Sequence, residues 1–174
     1  HVTNWLAAQG IEVVYPSLAD FFMQSFVNAK YNKRSNIGNR FLPDFIIDFF
    51  YKKVQRQLDK INAHGSEFRY FIPFDNIFEK AEQAGKAISL SAQFGEGWLI
   101  AGEVAMLARQ GISHIISLQP FGCIANHIVE KGIENRLKSL YPKLNILSLD
   151  FDSSISEVNI TNRLLLFINN LQNK

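Results

Sequence analysis

His114-Ile115-Ile116-Ser117-Leu118-Gln119-Pro120-Phe121-Gly122-Cys123-Ile124-Ala125-Asn126-His127 is the stretch that decides the fold. Its first five residues are an apolar, β-branched run, which reads as a strand. Pro120 and Gly122 punctuate it. A long amphipathic pattern follows, so the stretch reads as strand, turn and helix, with the thiol of Cys123 at the turn. A helix N-terminus offers free backbone N–H groups and a positive dipole end. Such surroundings favour thiolate, the form that ligates metals or attacks electrophiles.

Downstream, 123–140 reads as a helix with Ile124, Ile128, Ile133, Leu137 and Leu140 inward, stopped by Pro142. Residues 145–149 read as a strand. A last helix runs from about Ile155 to Gln172 on Val158, Leu165, Ile168 and Leu171. Upstream, the helix from Gly95 to Gln110 is apolar nearly all round, which predicts burial on most sides, and Gly111 ends it. Helical crossovers between short apolar strands imply a parallel sheet covered on both faces.

The first half is more helical. Residues 2–9 read as the end of a helix closed by Gly10, and 11–15 as a strand that joins the same sheet. Ser17 is a suitable N-cap, with Asp20 at the third helical position. The stripe Leu18, Phe21, Phe22, Ser25, Phe26 and Ala29 predicts the buried face of that helix. Lys30 to Arg40 reads as a loop. Pro43 starts a helix that runs to about Ala63, with Gly65 as its stop. Phe45, Ile46, Phe49, Phe50, Val54, Leu58 and Ile61 mark its apolar face. Residues 66–74 fit a short strand or a linker, and 76–92 a helix weakened at Gly85. The expected fold is thus α/β, three-layered, with a short parallel sheet and an added helical layer from residues 17–63. The phenylalanines dense at 21–26 and 41–50 are expected in the core; an exposed interface is the alternative.

The 174 residues suit one domain. A hydrophobic content of 47% with 20% charged residues is that of an ordinary globular chain. Net charge is +2 with the two signs interspersed, so neither a nucleic-acid stripe nor a membrane-binding basic run is present. No apolar stretch approaches the ~20 residues of a membrane span. One cysteine excludes an internal disulfide framework and fits a reducing cytoplasm. The start at His1-Val2-Thr3-Asn4, partway through a helical pattern, reads as a domain cut from a longer chain.

Ligands of open parallel sheets bind beyond the carboxyl ends of the strands. The Cys123 turn and the turn at 150–154 are expected to meet there. Three readings of Cys123 stay open: a small buried hydrophobe, a metal or cluster ligand, and a nucleophile with His127 as its base, one helical turn on. Asp150 and Asp152 could ligate a metal. Ser154-Ile155-Ser156-Glu157 matches a capping box, which favours a helix-start role for that segment. Glu103 is a lone carboxylate in an apolar helix and needs a partner if buried, Arg163 or Lys131 being the candidates. Glu96 reads as first-turn dipole compensation. No dinucleotide fingerprint, phosphate-binding loop or hydrolase elbow is present.

Gly95-Glu96-Gly97-Trp98-Leu99, Gln119-Pro120-Phe121-Gly122-Cys123, Asn126-His127-Ile128, Lys131-Gly132, Asp150-Phe151-Asp152, Ser156-Glu157-Val158-Asn159 and Asn162-Arg163 occur in an order that resembles one family. The chain resembles the C-terminal part of the large 2-hydroxyacyl-CoA dehydratase activase-related proteins, which join an ATPase activator module of the BadF/BadG type to a dehydratase-like module. The resemblance covers about residues 94–170, and the rest only loosely; Ala125 stands where the family is expected to have proline. It implies a Rossmann-like lobe whose Cys123 is one ligand of a [4Fe–4S]-type cluster, the others lying elsewhere in the parent chain. The activator would drive an electron onto that cluster using ATP. Gly122, Asn126 and His127 would surround the cluster, Gly122 by allowing close approach and the other two as hydrogen-bond donors. The implied partners are the remaining domains of the parent and an acyl-CoA substrate. A non-catalytic interaction or regulatory domain that has lost the cluster is the alternative.

Overall fold

The structure is a computed structural model. It describes residues 1–38, 42–152, 154 and 156–172, with the side chains of 170–172 excepted. Helix α1 (Val2–Ala8) ends at Gly10, whose φ of 76° suits glycine. Residues 11–17 form no regular element and join no strand ladder. Helices α2 (Leu18–Arg34) and α3 (Asp44–Gly65) form the expected helical excursion. Ser17 caps α2 by accepting the Ala19 N–H. After a turn-rich linker come α4 (Ile77–Ala84) and α5 (Gly97–Arg109). Strand β1 (His114–Pro120) leads through the Cys123 turn to a π-helical turn (Ala125–Glu130) that continues as α6 (Lys131–Leu140). Strand β2 (Asn145–Phe151) and α7 (Glu157–Gln172) complete the chain.

The two strands pair in parallel, from His114 opposite Asn145 to Pro120 opposite Phe151. Their side chains alternate between two apolar clusters. Ile115 and Ile146 pack with Trp98, Leu99, Val104, Ile133 and Leu137. Ile116, Leu147 and Leu149 pack with Leu6, Leu164 and Ile168. The architecture is therefore mixed helix and strand around a small parallel sheet. Among the described residues that sheet has two strands. The expected third, 11–15, does not pair: Ile11 and Val13 touch the second cluster, but no backbone ladder joins the segment to β1.

The helical layer docks through polar pairs, and this changes which faces are inside. Lys80 of α4 meets Asp20 of α2 at 2.5 Å, both almost fully buried. Trp98 of α5 is fully buried, and its indole N–H donates to Asn28 Oδ1 at 2.7 Å. These anchors turn Asp20, Met23, Gln24 and Val27 inward. Leu18, Phe21 and Phe22 of the expected buried stripe face solvent, Phe22 at 65% exposure. On α3 the outcome is similar. Ile47 and Leu58 are inside, while Phe45, Phe49, Phe50, Val54 and Ile61 are exposed. The two helices are joined by Lys30–Asp48 and Lys33–Asp44 ion pairs and the edge-to-face Phe26–Tyr51 contact. The phenylalanines dense in this region are thus mostly surface residues. Phe41 lies outside the described residues.

Four smaller expectations change. Helix α2 runs through the start of the expected loop to Arg34, and Asn39 and Arg40 lie outside the described residues. Residues 66–74 form turns and a linker, and Gly85 ends α4 outright. Ile124 and Ile128 are exposed because the π-helical turn, wider than an α-turn, aligns Ala125 and Glu130 inward instead. On α7 the inward residues are Leu164, Phe167 and Ile168. Val158 and Leu165 face out, and the Leu171 side chain lies outside the described residues.

Candidate functional site

The strand pairing fixes the site. Because β1 and β2 are parallel neighbours, their carboxyl ends emerge side by side. The Phe121 N–H extends the pairing by donating to the Phe151 carbonyl at 3.0 Å. Gly122 then turns the chain with φ 80°, and a Cβ added there would meet nothing within 4 Å. Cys123 follows at the foot of the helix, half-buried and unpaired with any other cysteine. Its N–H donates to the Pro120 carbonyl, and its own carbonyl accepts the His127 N–H at 2.9 Å.

The two turns meet as the sequence predicts. His127 Nε2 lies 3.1 Å from Asp150 Oδ1, across the ends of the strands. His127 Nδ1 faces the Cys123 carbonyl at 3.3 Å, and the Phe121 ring packs edge-on against the imidazole. Both ring nitrogens are therefore directed to oxygen atoms. Asn126 donates to Glu130 Oε2 at 3.2 Å. Gln119, fully buried at the carboxyl end of β1, leaves both its amide oxygen and its amide nitrogen without a hydrogen-bond partner.

The acidic turn after β2 divides its work. Asp150 faces His127. Asp152 accepts both the N–H and the hydroxyl of Ser154, at 2.7 and 2.8 Å. Helix α7 begins at Glu157, with the Ser156 carbonyl accepting the Ile160 N–H. Ser154 is thus bound to Asp152 and lies too early to cap α7, so the expected capping box does not form there. Ser153 and Ile155 lie outside the described residues.

A second polar cluster lies under the helical layer. Lys80 Nζ also approaches Asp75 Oδ2 at 3.5 Å. Gly102 makes this approach of α4 to α5 possible, since an added Cβ would sit 2.7 Å from Lys80 Cγ. Burial raises the Glu103 carboxyl to a pKa of about 7, with Lys80 pulling it down and Asp20 and Glu96 pushing it up. Lys80 is thus the cation that acts on Glu103, at longer range than its ion pairs with Asp20 and Asp75. Arg163 instead donates to the Ser148 carbonyl at 2.6 Å, and Lys131 is exposed. Sequence reasoning passed over Lys80, though a signal exists: it lies between Ile77, Ala81 and Ala84 on one apolar face.

Cluster ligation requires several thiolates. Cys123 is the one cysteine of the chain. Among the described residues, no group of three or more His, Cys, Asp or Glu side chains is arranged to hold a metal ion. No helix among the described residues is long and apolar enough to cross a membrane. Comparison with known proteins finds no matching family model, curated protein or solved structure.

Proposed function

We propose that the chain is a three-layer, Rossmann-like lobe of a cytoplasmic, 2-hydroxyacyl-CoA dehydratase activase-related protein, supplying one thiolate to a shared iron–sulfur cluster. The observation that carries this reading is the placement of Cys123. It stands at a strand-to-helix turn, on the carboxyl side of two paired parallel strands, beside the His127–Asp150 pair. The unpaired amide of Gln119 supports it, because a fully buried polar group without a partner calls for one that this chain does not provide. The bound cluster would supply low-potential electron transfer. This chain's own part is narrower: Gly122 leaves open space beside the thiol, and Asp150 stands beside the imidazole of His127.

The test is anaerobic iron–sulfur reconstitution of the full-length parent and its Cys123→Ser variant. The reading expects a fall in iron content and in visible cluster absorbance in the variant. Equal iron and identical spectra would overturn it.

A second reading, an interaction domain that has lost the cluster, is favoured by the exposed aromatic residues of α2 and α3. Large exposed apolar faces mark interaction sites. A parent chain without further cysteines at the ends of its other lobes would decide for this reading.

A further inference from the structure

Segment 11–16 does not pair with β1, and the two together line a cleft of about 710 Å³. That volume lies in the range of small-molecule sites, which are mostly apolar with a few placed polar groups. The walls fit this description. Leu6, Ile100, Val104, Leu107, Ile116 and Phe167 supply apolar surface from four separate elements. The charged lining is one-sided: Glu12, Glu96, Glu103 and Glu130 line the cleft, and no lysine or arginine does so among the described residues.

Glu130 is the residue that makes this a built site. It is only 4% exposed. One of its oxygens, Oε2, accepts the Ser117 hydroxyl at 2.5 Å and the Asn126 amide at 3.2 Å. Ser117 and Asn126 also line the cleft, so the carboxylate is held from the strand and from the helix at once. The other oxygen, Oε1, accepts no hydrogen bond from any described residue. Oε1 is not sealed from solvent, so a donor in the cleft can reach it. The π-helical turn explains why Glu130 is inside at all, since it brings Glu130 round to the inward face.

We infer that this cleft binds a small apolar molecule carrying a protonated amine, with the ammonium donating to Glu130 Oε1 and Glu103 adding a second carboxylate. An acidic lining without lysine or arginine among the described residues repels anions, so a CoA ester, whose phosphates need cationic partners, belongs elsewhere. The inference is independent of the role of Cys123. A fully functional cluster ligand is compatible with an empty or filled cleft.

The probe is 4-phenylbutylammonium, compared with 4-phenylbutyrate, which has the same ring and chain length and the opposite charge. Binding is followed by amide chemical-shift titration of the ¹⁵N-labelled chain. The expected result is saturable shifts at Ile100, Val104, Ile116 and Asn126 for the amine, with the carboxylate at least tenfold weaker. Glu130→Gln keeps the shape and the Ser117 contact while removing the charge. It should weaken the amine about tenfold, the scale of one charge-assisted hydrogen bond. Should that variant unfold, Glu103→Gln serves as the second, with a smaller loss expected. Equal binding of the two probes, shifts confined to the exposed phenylalanines of α2 and α3, or unchanged amine affinity in a folded Glu130→Gln would each overturn the inference. Saturable shifts of the same four amides by butyryl-CoA would overturn it too.

Discussion

Asp20 and Lys80 are almost fully buried, 60 positions apart in sequence, and they decide how the helical layer sits. A buried ion pair that loses one member leaves an uncompensated charge, which costs about 3–5 kcal/mol. Asp20→Ala is therefore expected to lower the urea-unfolding free energy by about 3 kcal/mol, while Asp20→Leu combined with Lys80→Met recovers most of the loss. Glu103, beside the same lysine, predicts a pH dependence. Its pKa is raised from 4.5 to about 7 in the folded chain. The native state then holds the proton more tightly than the unfolded state, so this group's stabilisation is complete below about pH 4.5 and lost as pH rises through about 7. The contribution is on the order of 3 kcal/mol. Unfolding measured from pH 4.5 to 8 should show that decline, and Glu103→Gln should flatten it. Glu103 was legible in the sequence as a lone carboxylate needing a partner. The cation that acts on it was not, because Lys80 comes near only after two helices are packed.

At the scale of elements, periodicity located most helices and both paired strands, and it misassigned faces. The apolar stripe of α2 was read as buried because Leu18, Phe21 and Phe22 are large and apolar. The structure buries the opposite side, where Asp20 and Asn28 find partners on α4 and α5. Those partners lie far along the chain, so no local pattern reveals them. The consequence for stability is direct. Phe50→Ser, at a position 54% exposed, should change the unfolding free energy by no more than about 0.5 kcal/mol. Leu58→Ala, on the same helix but 9% exposed, should cost about 2–3 kcal/mol. Urea denaturation of the two variants separates the faces, and a large loss for Phe50→Ser would contradict the observed orientation of α3. The failure at 11–15 is of another kind. The segment has strand composition, and Ile11 and Val13 do pack on the sheet side, but it stands off β1 with a cleft between. Propensity reports what a segment suits, and pairing depends on what reaches its edge.

For the whole molecule, the candidate site was the most legible part. The thiol at a strand-to-helix turn and the meeting of its turn with the one after β2 both follow from two parallel neighbours, which the βαβ pattern implies. The His127–Asp150 contact is the product of that topology. What the sequence concealed was the second polar centre under the helical layer and the acid-lined cleft. Both are assembled from elements distant in sequence.

The chain has two tryptophans, and each belongs to a different apolar cluster. Trp98 is sealed in the first by its bond to Asn28, and Trp5 lies against the second beside Leu6. Incorporation of 5-fluorotryptophan would give one ¹⁹F resonance per cluster without altering the sequence. Strand β1 feeds Ile115 to one cluster and Ile116 to the other, so the two resonances should move to their unfolded positions at the same urea concentration. Separate midpoints would mean that the helical layer detaches while the far side of the sheet stays folded. The indole of Trp98, tied to α2, would then report the undocking of that layer as an event of its own.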